Sequence, residues 1–349
     1  MDIWKVNRNT YYQAYFEDVV SVVWTERYNA YGDFEITVPP SQDALDFFTK
    51  GSWLMTPDSD KIMEIKSVSI ASDQEGVQDE MKVVGVSLEA FLLDRVTHLP
   101  PPQPTSLPGA AAVWHVNNVF RTASFPSNNR DLMSNFYAEN LAVGVGEDVK
   151  LWSFREPLYN AVKDILDPWD IGFRVVSKST SNNQVWFQTY VGVDRTEDQS
   201  VRAPVRFSPE DDNVVGIEYL SSIQDLKNIA YVHFTAANYV QIPAPGVNLS
   251  VSGFDRKVLY VDGSQLPEED TDAARALGLA ELKKYNEKSA VDGLVANDSG
   301  YIFGTDYGLG DLVTVKGSYG VKANMRVAEY IRAFDHQGER GYPTLVNID

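Results

Sequence analysis

The sequence has no cysteine among its 349 residues, which excludes disulfide bonds and thiolate metal sites. Histidine is almost as rare, and its four positions are His98, His115, His233 and His336. Because no two of these histidines lie within four residues of each other, no pair on a helix could chelate a metal. We therefore expect neither a metal site nor a cofactor.

Long apolar runs and basic clusters are also missing. No apolar stretch approaches the roughly 20 residues that span a bilayer, and Met1-Asp2-Ile3-Trp4 does not begin a secretory signal. The net charge is −19, with 17 acidic and eight basic residues in 1–95 and 18 and 12 in 214–349. Since a phosphate backbone is bound by clustered Lys and Arg, we expect no specific nucleic-acid binding. Because no apolar stretch is long enough, we also expect no membrane insertion.

The usual catalytic motifs are absent. There is no Gly-x-Ser-x-Gly elbow and no phosphate-binding loop, and Gly308-Leu309-Gly310 precedes a predicted strand rather than a helix. Glu26, Asp33 and Glu35 could be nominated as the carboxylate pair of a hydrolase. Asp33 and Glu35, however, lie on the polar face of an alternating strand, where acids are simply solvated. We predict that the chain is not an enzyme, and a tail-associated hydrolase remains an alternative.

The residues that are present predict an α+β fold that is predominantly β. With 44% hydrophobic residues, the chain can form apolar cores. Its 349 residues are enough for two or three domains. Helices are predicted at 156–166 and at about 271–287, and the stretch 110–147 is assigned to loop and short helix. Period-two alternation predicts strands at 33–38, 62–70, 81–86, 172–177, 185–193, 214–220, 229–234 and 258–261.

Two stretches share one pattern of glycine turn, strand, strand and glycine turn. One runs from Gly308 through Asp311 to Gly338, and the other runs from Gly51 to Gly76. The pattern indicates two copies of one β-module. Many β-proteins repeat it, however, and the two spacings differ, so a chance likeness stays open.

Aromatic side chains suggest a second alternative. Tyr11, Tyr12 and Trp114 fit core alternation less well than the other aromatic residues, which makes them candidates for an interface. Exposed aromatic residues would also suit a carbohydrate-binding tail adhesin.

A set of motifs resembles hub-type minor tail proteins of long-tailed phages, the gp37-like family, which is related in fold to the hub portion of tail-associated lysins. The motifs follow the family's order over nearly the whole chain. They are Trp24-Thr25-Glu26-Arg27-Tyr28, Tyr31-Gly32-Asp33-Phe34-Glu35-Ile36-Thr37-Val38-Pro39, Ser87-Leu88-Glu89 with Arg95, Gly172-Phe173-Arg174-Val175, Lys227-Asn228 and Leu309-Gly310-Asp311-Leu312-Val313-Thr314-Val315.

The resemblance implies a structural baseplate hub with two tube-type β-barrel or sandwich modules. The expected domains are 1–98 (first tube-type barrel), 99–213 (peripheral α/β domain) and 214–349 (second barrel, with a helical insert around 262–300). We expect no catalytic, cofactor-binding or metal-binding residues. The site residues are structural turns of the two modules, namely Gly32, Gly51, Gly310, Asp311 and Gly338.

The resemblance also implies partners and a location. Three chains would form a homotrimer with a pseudo-sixfold ring that continues the tail tube, at the tail tip or baseplate of the virion. Expected partners are a distal tail or tube-ring protein, the tape-measure protein, and tail-tip or receptor-binding proteins, while DNA only passes through. The protein would be made in the host cytoplasm. Because the chain ends eight residues after Gly341, we expect no lysin domain in it.

Overall fold

A computed structural model describes residues 2–8, 12–72, 79–98, 105–121, 132–150, 154–177, 184–235, 237–266, 270–295, 300–317 and 320–348. The α-helices are α1 (Gln42–Phe47), α2 (Pro108–Arg121), α3 (Leu158–Leu166) and α4 (Thr271–Lys283). The strands are β1 (Ile3–Val6), β2 (Tyr12–Phe16), β3 (Ser21–Arg27), β4 (Asp33–Val38), β5 (Trp53–Met55), β6 (Met63–Ser72), β7 (Asp79–Ser87), β8 (Val96–His98), β9 (Thr105–Ser106), β10 (Phe136–Asn140), β11 (Val149–Lys150), β12 (Phe154–Pro157), β13 (Gly172–Ser177), β14 (Val185–Tyr190), β15 (Arg206–Phe207), β16 (Val214–Ser222), β17 (Ile229–His233), β18 (Tyr239–Pro243), β19 (Val258–Asp262), β20 (Lys288–Val295), β21 (Leu312–Lys316), β22 (Lys322–Asp335) and β23 (Gly338–Asn347).

One sheet of eleven strands joins the two ends of the chain. Its order is β15-β21-β22-β3-β4-β7-β6-β5-β1-β2, and β23 pairs with β22 as well. The first half of β22 pairs with β21, and its second half pairs with β3, so β22 belongs to both β-modules. A 14-residue strand is long enough to serve two partners end to end along one edge.

Each β-module has its own apolar core. In the first module, alternate residues of β3 and β4 point inward, among them Trp24, Phe34 and Ile36, and Phe48 after α1 closes the core. Ser41 caps the start of α1, because its hydroxyl accepts a hydrogen bond from the backbone N–H of Ala44 at 3.0 Å. The second module packs β15, β21, β22 and β23 around a smaller core, whose members are Val205, Phe207, Val214, Tyr307, Val313, Val315, Met325 and Val327.

The middle of the chain forms an α/β unit that packs on the first module. Helices α2 and α3 cover the three-stranded sheet β10-β14-β13. The core of this unit is continuous with residues of the first module, such as Trp53, Ile62 and Leu88. One apolar core therefore crosses from the first β-module into the α/β unit.

A smaller α/β unit lies within the C-terminal part of the chain. The sheet β18-β17-β19 packs one face on α4, through a core that includes Ala230, Val232, Ile242 and Leu282. The small residue Gly278 lets the helix approach closely, since a Cβ there would lie 3.0 Å from Ile242 Cγ1. The helix within the predicted insert around 262–300 thus packs on a sheet whose strands precede the insert in the sequence.

The predicted α+β, predominantly β class is confirmed, but the predicted barrels are not closed. Among the described residues, the eleven strands follow an open path from β15 to β2. The predicted helices 156–166 and 271–287 are observed at 158–166 and 271–283.

The prediction for 110–147 was wrong in part, because α2 is a regular helix of 14 residues. Its buried residues Ala111, His115, Val119 and Phe120 lie on one side at helical spacing. His115 and the small residues diluted this stripe in the sequence, so it did not stand out as a hydrophobic pattern.

Candidate functional site

The strand β22 connects the two β-modules through side chains as well as backbone. Arg27 on β3 donates from Nε to Glu329 Oε2 on β22 at 2.9 Å and also pairs with Asp33 on β4. Glu329 Oε1 in turn accepts a hydrogen bond from the hydroxyl of Thr344 on β23 at 2.7 Å. This chain of contacts crosses four neighbouring strands, so a displacement of one module would break it.

Tyr28, which follows β3, lies where the two β-modules and the α/β unit meet. Its backbone N–H donates to Ala328 O on β22 at 2.8 Å, and its carbonyl oxygen accepts from Phe173 N on β13 at 3.1 Å. Its hydroxyl donates to Asp170 O at 2.8 Å and lies 3.2 Å from Tyr190 O. Tyr28 therefore makes hydrogen bonds to two other regions of the chain.

Two glycines make room for the Tyr28 ring. A Cβ on Gly172 or on Gly310 would lie 2.2 Å from Tyr28 Cε2 in each case. Gly310 also has a backbone φ of +87°, a conformation that residues other than glycine rarely adopt. The Arg326 guanidinium lies 5.3 Å from the ring centroid, and burial raises the pKa of the Tyr28 hydroxyl. The junction thus depends on residues that are far apart in sequence.

Asp311 extends the same junction. Its side chain is nearly buried and accepts three hydrogen bonds, from Val193 N at 2.7 Å, Arg195 Nε at 2.8 Å and Gly308 N at 3.0 Å. The carboxylate therefore holds the segment after β14 against the turn before β21. Residues of the middle and C-terminal regions meet on a single side chain.

A buried ion pair fixes the first module to the α/β unit. Lys61 Nζ contacts Glu89 Oε1, both side chains are almost completely buried, and the same Glu89 oxygen accepts Val175 N at 3.0 Å. Nearby, burial raises the pKa of Glu26, whereas the charge of Arg332 on β22 lowers it. Charged groups are therefore enclosed where the three units meet.

The three remaining turn residues named from the sequence lie elsewhere in the fold. Gly32 precedes β4, where a Cβ would lie 2.1 Å from Thr25 O. Gly51 has a φ of +79° before β5, and Gly338 has a φ of +107° at the turn between β22 and β23. Gly310 and Asp311 are thus brought together at the junction, while the others belong to separate turns.

The acids nominated for hydrolysis do not form a pair. Asp33 and Glu35 lie opposite Thr25 and Val23 on one face of the sheet, so Glu26 points to the other face. Glu26 is nearly buried, and Glu35 pairs with Lys82 at the surface at 2.7 Å. This arrangement does not place two carboxylates on either side of one bond.

The other residues singled out from the sequence are dispersed. His115 is buried, and the absence of solvent lowers its pKa to about 4, while His336 is exposed. Trp114 is partly exposed, Tyr12 is exposed, and Tyr11 lies outside the described residues. Within the described ranges, no group of three or more potential ligands could hold a metal.

A cavity of about 530 Å³ separates α3 from α4. Glu156 and Asp164 line it with the small residues Ala161, Ala276 and Ala280. Burial and the neighbouring Asp164 raise the pKa of Glu156 to about 7, and burial and Asp167 raise the pKa of Asp164. The cavity therefore carries one carboxyl group, that of Glu156, which is partly protonated near pH 7.

The outer strand β2 lies at one edge of the large sheet. In the described part of the chain it pairs with β1 alone. Its tyrosines Tyr12 and Tyr15 are 60% and 64% exposed. An edge strand with exposed aromatic residues is a surface on which another chain can dock.

The family is indicated by a match over almost the whole chain. The family model described as siphovirus ReqiPepy6 Gp37-like protein matches residues 1–345. The chain belongs to this family. No curated protein matches it. In the described residues of this Gp37-like protein, no helix has the length and apolar character required to cross a membrane.

Solved phage tail proteins share the fold of this Gp37-like protein. A 43 kDa tail protein of prophage MuSo2 from Shewanella oneidensis has a TM-score of 0.57 and 11% identity, and the alignment covers 99% of this chain and 98% of that one. A tail protein from Neisseria meningitidis MC58 has a TM-score of 0.56 and 11% identity, with 99% and 95% covered. The prophage tail protein gp18 from Listeria monocytogenes EGD-e has a TM-score of 0.56 and 13% identity, with 99% and 94% covered.

The sequence pointed to Gly310 and Asp311 but not to Tyr28 as a site residue. The sequence feature that could have indicated Tyr28 is the presence of glycine at 172 and at 310. These two positions, however, lie next to Tyr28 only in the folded chain. A ring that needs two distant glycines cannot be recognised from spacing.

Proposed function

We propose that this Gp37-like protein is a structural hub of the phage tail tip or baseplate, in which three copies form a ring that continues the tail tube. Membership of a siphovirus family over 1–345 supports a place in the virion tail. The folds of three prophage or phage-like tail proteins, each aligned over nearly its whole length, support a structural rather than a catalytic role.

The observation that carries the proposal is the single sheet that joins two β-modules through β22. Three chains with two modules each would present six modules around one axis. The sheet path is open at β15 and at β2 in the described residues, so one copy can meet the next head to tail. Head-to-tail contacts close into a ring when the rotation between copies fits.

The proposed ring would bind a distal tail or tube-ring protein on one side and tail-tip or receptor-binding proteins on the other. The tape-measure protein and then DNA would pass through it. Excess acidic charge in both modules would repel phosphate groups and keep transit unobstructed. The same charge also favours solubility, and both effects act together.

Light scattering coupled to size-exclusion chromatography, with electron microscopy of the particles, tests the ring. We expect a trimer, either alone or with tail partners. Tyr15→Lys places a charge on the β2 edge and should give monomers. Val201→Lys is the control, because Val201 is 83% exposed in a loop away from the sheet edges. A wild-type protein that stays monomeric with its tail partners, or Tyr15→Lys trimers, would contradict the proposal.

DNA ejection tests the role of the acidic charge. Lys substitutions at exposed acids of the first module, such as Glu17, Asp18 and Asp43, should slow or block ejection while tails still assemble. Asp148→Lys, an exposed acid of the α/β unit, is the matched control. Unchanged ejection in the triple variant would rule out a lumen role for these acids.

A further inference from the structure

The sheet β18-β17-β19 has a second face that points away from α4. Because side chains alternate along a strand, Tyr231 and His233 of β17 share this face. Cross-strand pairing adds Tyr239 and Gln241 of β18, which lie opposite His233 and Tyr231. It also adds Tyr260 and Asp262 of β19, which lie opposite the same two residues. These six residues are called the aromatic face below.

The four rings of the aromatic face form a continuous layer. The ring centroids of Tyr231 and Tyr239 are 5.2 Å apart with planes at 21°, and those of His233 and Tyr239 are 4.9 Å apart at 21°. His233 and Tyr260 follow at 5.0 Å and 36°. Near-parallel rings at this separation overlap with an offset. They present a row of ring surfaces rather than isolated side chains.

The layer is accessible to solvent. Tyr260 is 67% exposed and Tyr239 is 42% exposed. Cross-strand aromatic pairs stabilise a sheet, and that role accounts for the inner rings. It does not account for the outermost ring surface, which stays in water and contributes little to the core. Exposed aromatic surface framed by polar groups is typical of a binding site.

Polar side chains are held in place around the rings. Arg256 Nη2 donates to Gln241 Oε1 at 2.7 Å and to the Tyr231 hydroxyl at 3.1 Å, while its Nη1 donates to Leu249 O and Val251 O. On the opposite side, Asp262 Oδ1 accepts Ser264 N at 2.9 Å, and this hydrogen bond lowers the pKa of Asp262. The rings thus lie between an anchored amide and an ionised acceptor.

The charges of this surface fit a neutral ligand. Arg256 and Asp262 are balanced, in a protein whose net charge of −19 repels nucleic acids and anionic membranes. A sugar ring combines an apolar C–H face with a rim of hydroxyl groups. Flat aromatic rings can stack on the C–H face, and amide and carboxylate oxygens can accept hydrogen bonds from the hydroxyl groups.

We propose that the aromatic face binds a neutral saccharide, which stacks on Tyr239 and Tyr260 while its hydroxyl groups bond to Gln241 and Asp262. The site lies on a unit outside the two β-modules and does not depend on ring assembly. A saccharide site at this position would give the tail protein an affinity for a glycan surface that the hub role does not include.

Binding of defined oligosaccharides to the full chain tests the proposal. Maltotriose, chitotriose and lactose are titrated separately, with calorimetry or protein NMR as the readout. We expect at least one to bind with a millimolar or lower Kd. Tyr260→Ala should weaken binding at least tenfold, whereas Tyr260→Phe keeps the ring and should change the Kd less than threefold. Tyr12→Ala is the matched control, since Tyr12 is 60% exposed on β2, and it should leave the Kd unchanged.

Three results would overturn the proposal. The first is that none of the three saccharides binds at concentrations up to about 20 mM, which is about 20-fold above a Kd of 1 mM. Another is an equal loss of affinity in Tyr260→Ala and Tyr12→Ala. The third is capture of a purified tail-tip protein that depends on Tyr260 and is not displaced by any of the saccharides, because the face would then be a protein interface. Unchanged thermal unfolding of Tyr260→Ala shows that a loss of binding is not a loss of fold.

Discussion

The junction at Tyr28 and the aromatic face at Tyr260 use the same residue type in opposite ways. The Tyr28 ring is enclosed by Gly172 and Gly310, and its hydroxyl bonds to backbone carbonyls of another unit. The Tyr260 ring stacks on one neighbour and leaves most of its surface in water. The difference shows that the junction holds the molecule together, whereas the aromatic face is free to contact something else.

The largest expected effect comes from filling the space beside Tyr28. Gly310→Ala puts a Cβ where Tyr28 Cε2 lies 2.2 Å away and imposes a φ of +87° on alanine. We expect the free energy of unfolding to fall by about 3–5 kcal/mol, measured by denaturant unfolding.

Gly308→Ala is the matched control two residues away, since a Cβ there would meet nothing within 4 Å among the described atoms. It should change the free energy of unfolding by about 0.5 kcal/mol or less. Equal losses in the two variants would show that the Tyr28 contact does not limit stability.

Breaking the buried ion pair should have the next largest effect. Glu89→Gln leaves the charge of Lys61 buried without its partner and should cost about 3 kcal/mol of unfolding free energy. Glu35→Gln removes half of an ion pair whose side chains are both about half exposed, and should cost about 0.5 kcal/mol or less. A loss in Glu89→Gln no larger than in Glu35→Gln would mean that water reaches the buried pair.

Removal of the Tyr28 hydroxyl should have a smaller effect. Tyr28→Phe keeps the ring but loses the hydrogen bond to Asp170 O, at a cost of about 1–2 kcal/mol. Tyr260→Phe, on the exposed side of the comparison, should be neutral. Denaturant unfolding of both variants compares the two hydroxyl groups directly. Equal losses would show that the Tyr28 hydroxyl stabilises the fold no more than the exposed Tyr260 hydroxyl does.

Glu156 should make stability depend on pH. Its pKa is raised to about 7 in the folded state, so the folded protein binds the proton more tightly than the unfolded chain. The contribution of Glu156 to the free energy of unfolding is therefore fully present below about pH 4.5 and is lost as the pH rises through about 7. The carboxyl is only partly buried and solvent screens it, so we expect a loss of about 1 kcal/mol between pH 5 and 8.

Thermal unfolding of Glu156→Gln at both pH values checks this effect. The variant should lose less stability than wild type between pH 5 and 8, whereas Glu210→Gln, at an exposed acid, should behave as wild type. If Glu156→Gln loses as much stability as wild type between pH 5 and 8, the Glu156 carboxyl is exposed to solvent in the folded protein.

The smallest effect on folding is expected on the aromatic face. Tyr260→Ala removes a ring that is mostly exposed, so the free energy of unfolding should change by about 0.5 kcal/mol or less. Chemical denaturation measures it beside Gly310→Ala. A loss above about 2 kcal/mol would show that the stacked rings serve the fold rather than recognition.

Local pattern was enough for many of the elements. Strand 33–38 was predicted at its observed bounds because Phe34, Ile36 and Val38 alternate with polar residues. Helix α4 was predicted from the acids at its start and the lysines at its end, since these complement the helix dipole. Helix α2 was predicted only as short helix within a loop region, because its stability comes from packing against α3 and β10 rather than from a clear stripe.

The sequence by itself determined the composition limits, most strands and helices, and the resemblance that the family match confirmed. These depend on residue type and short-range spacing, which the chain carries locally. Only the tertiary structure decided that β22 joins both modules, that Gly172 and Gly310 enclose Tyr28, and that the His233 ring contacts both Tyr239 and Tyr260. Each of these depends on which strand edges and faces meet, and strand pairing between distant segments leaves no periodic signal in the sequence.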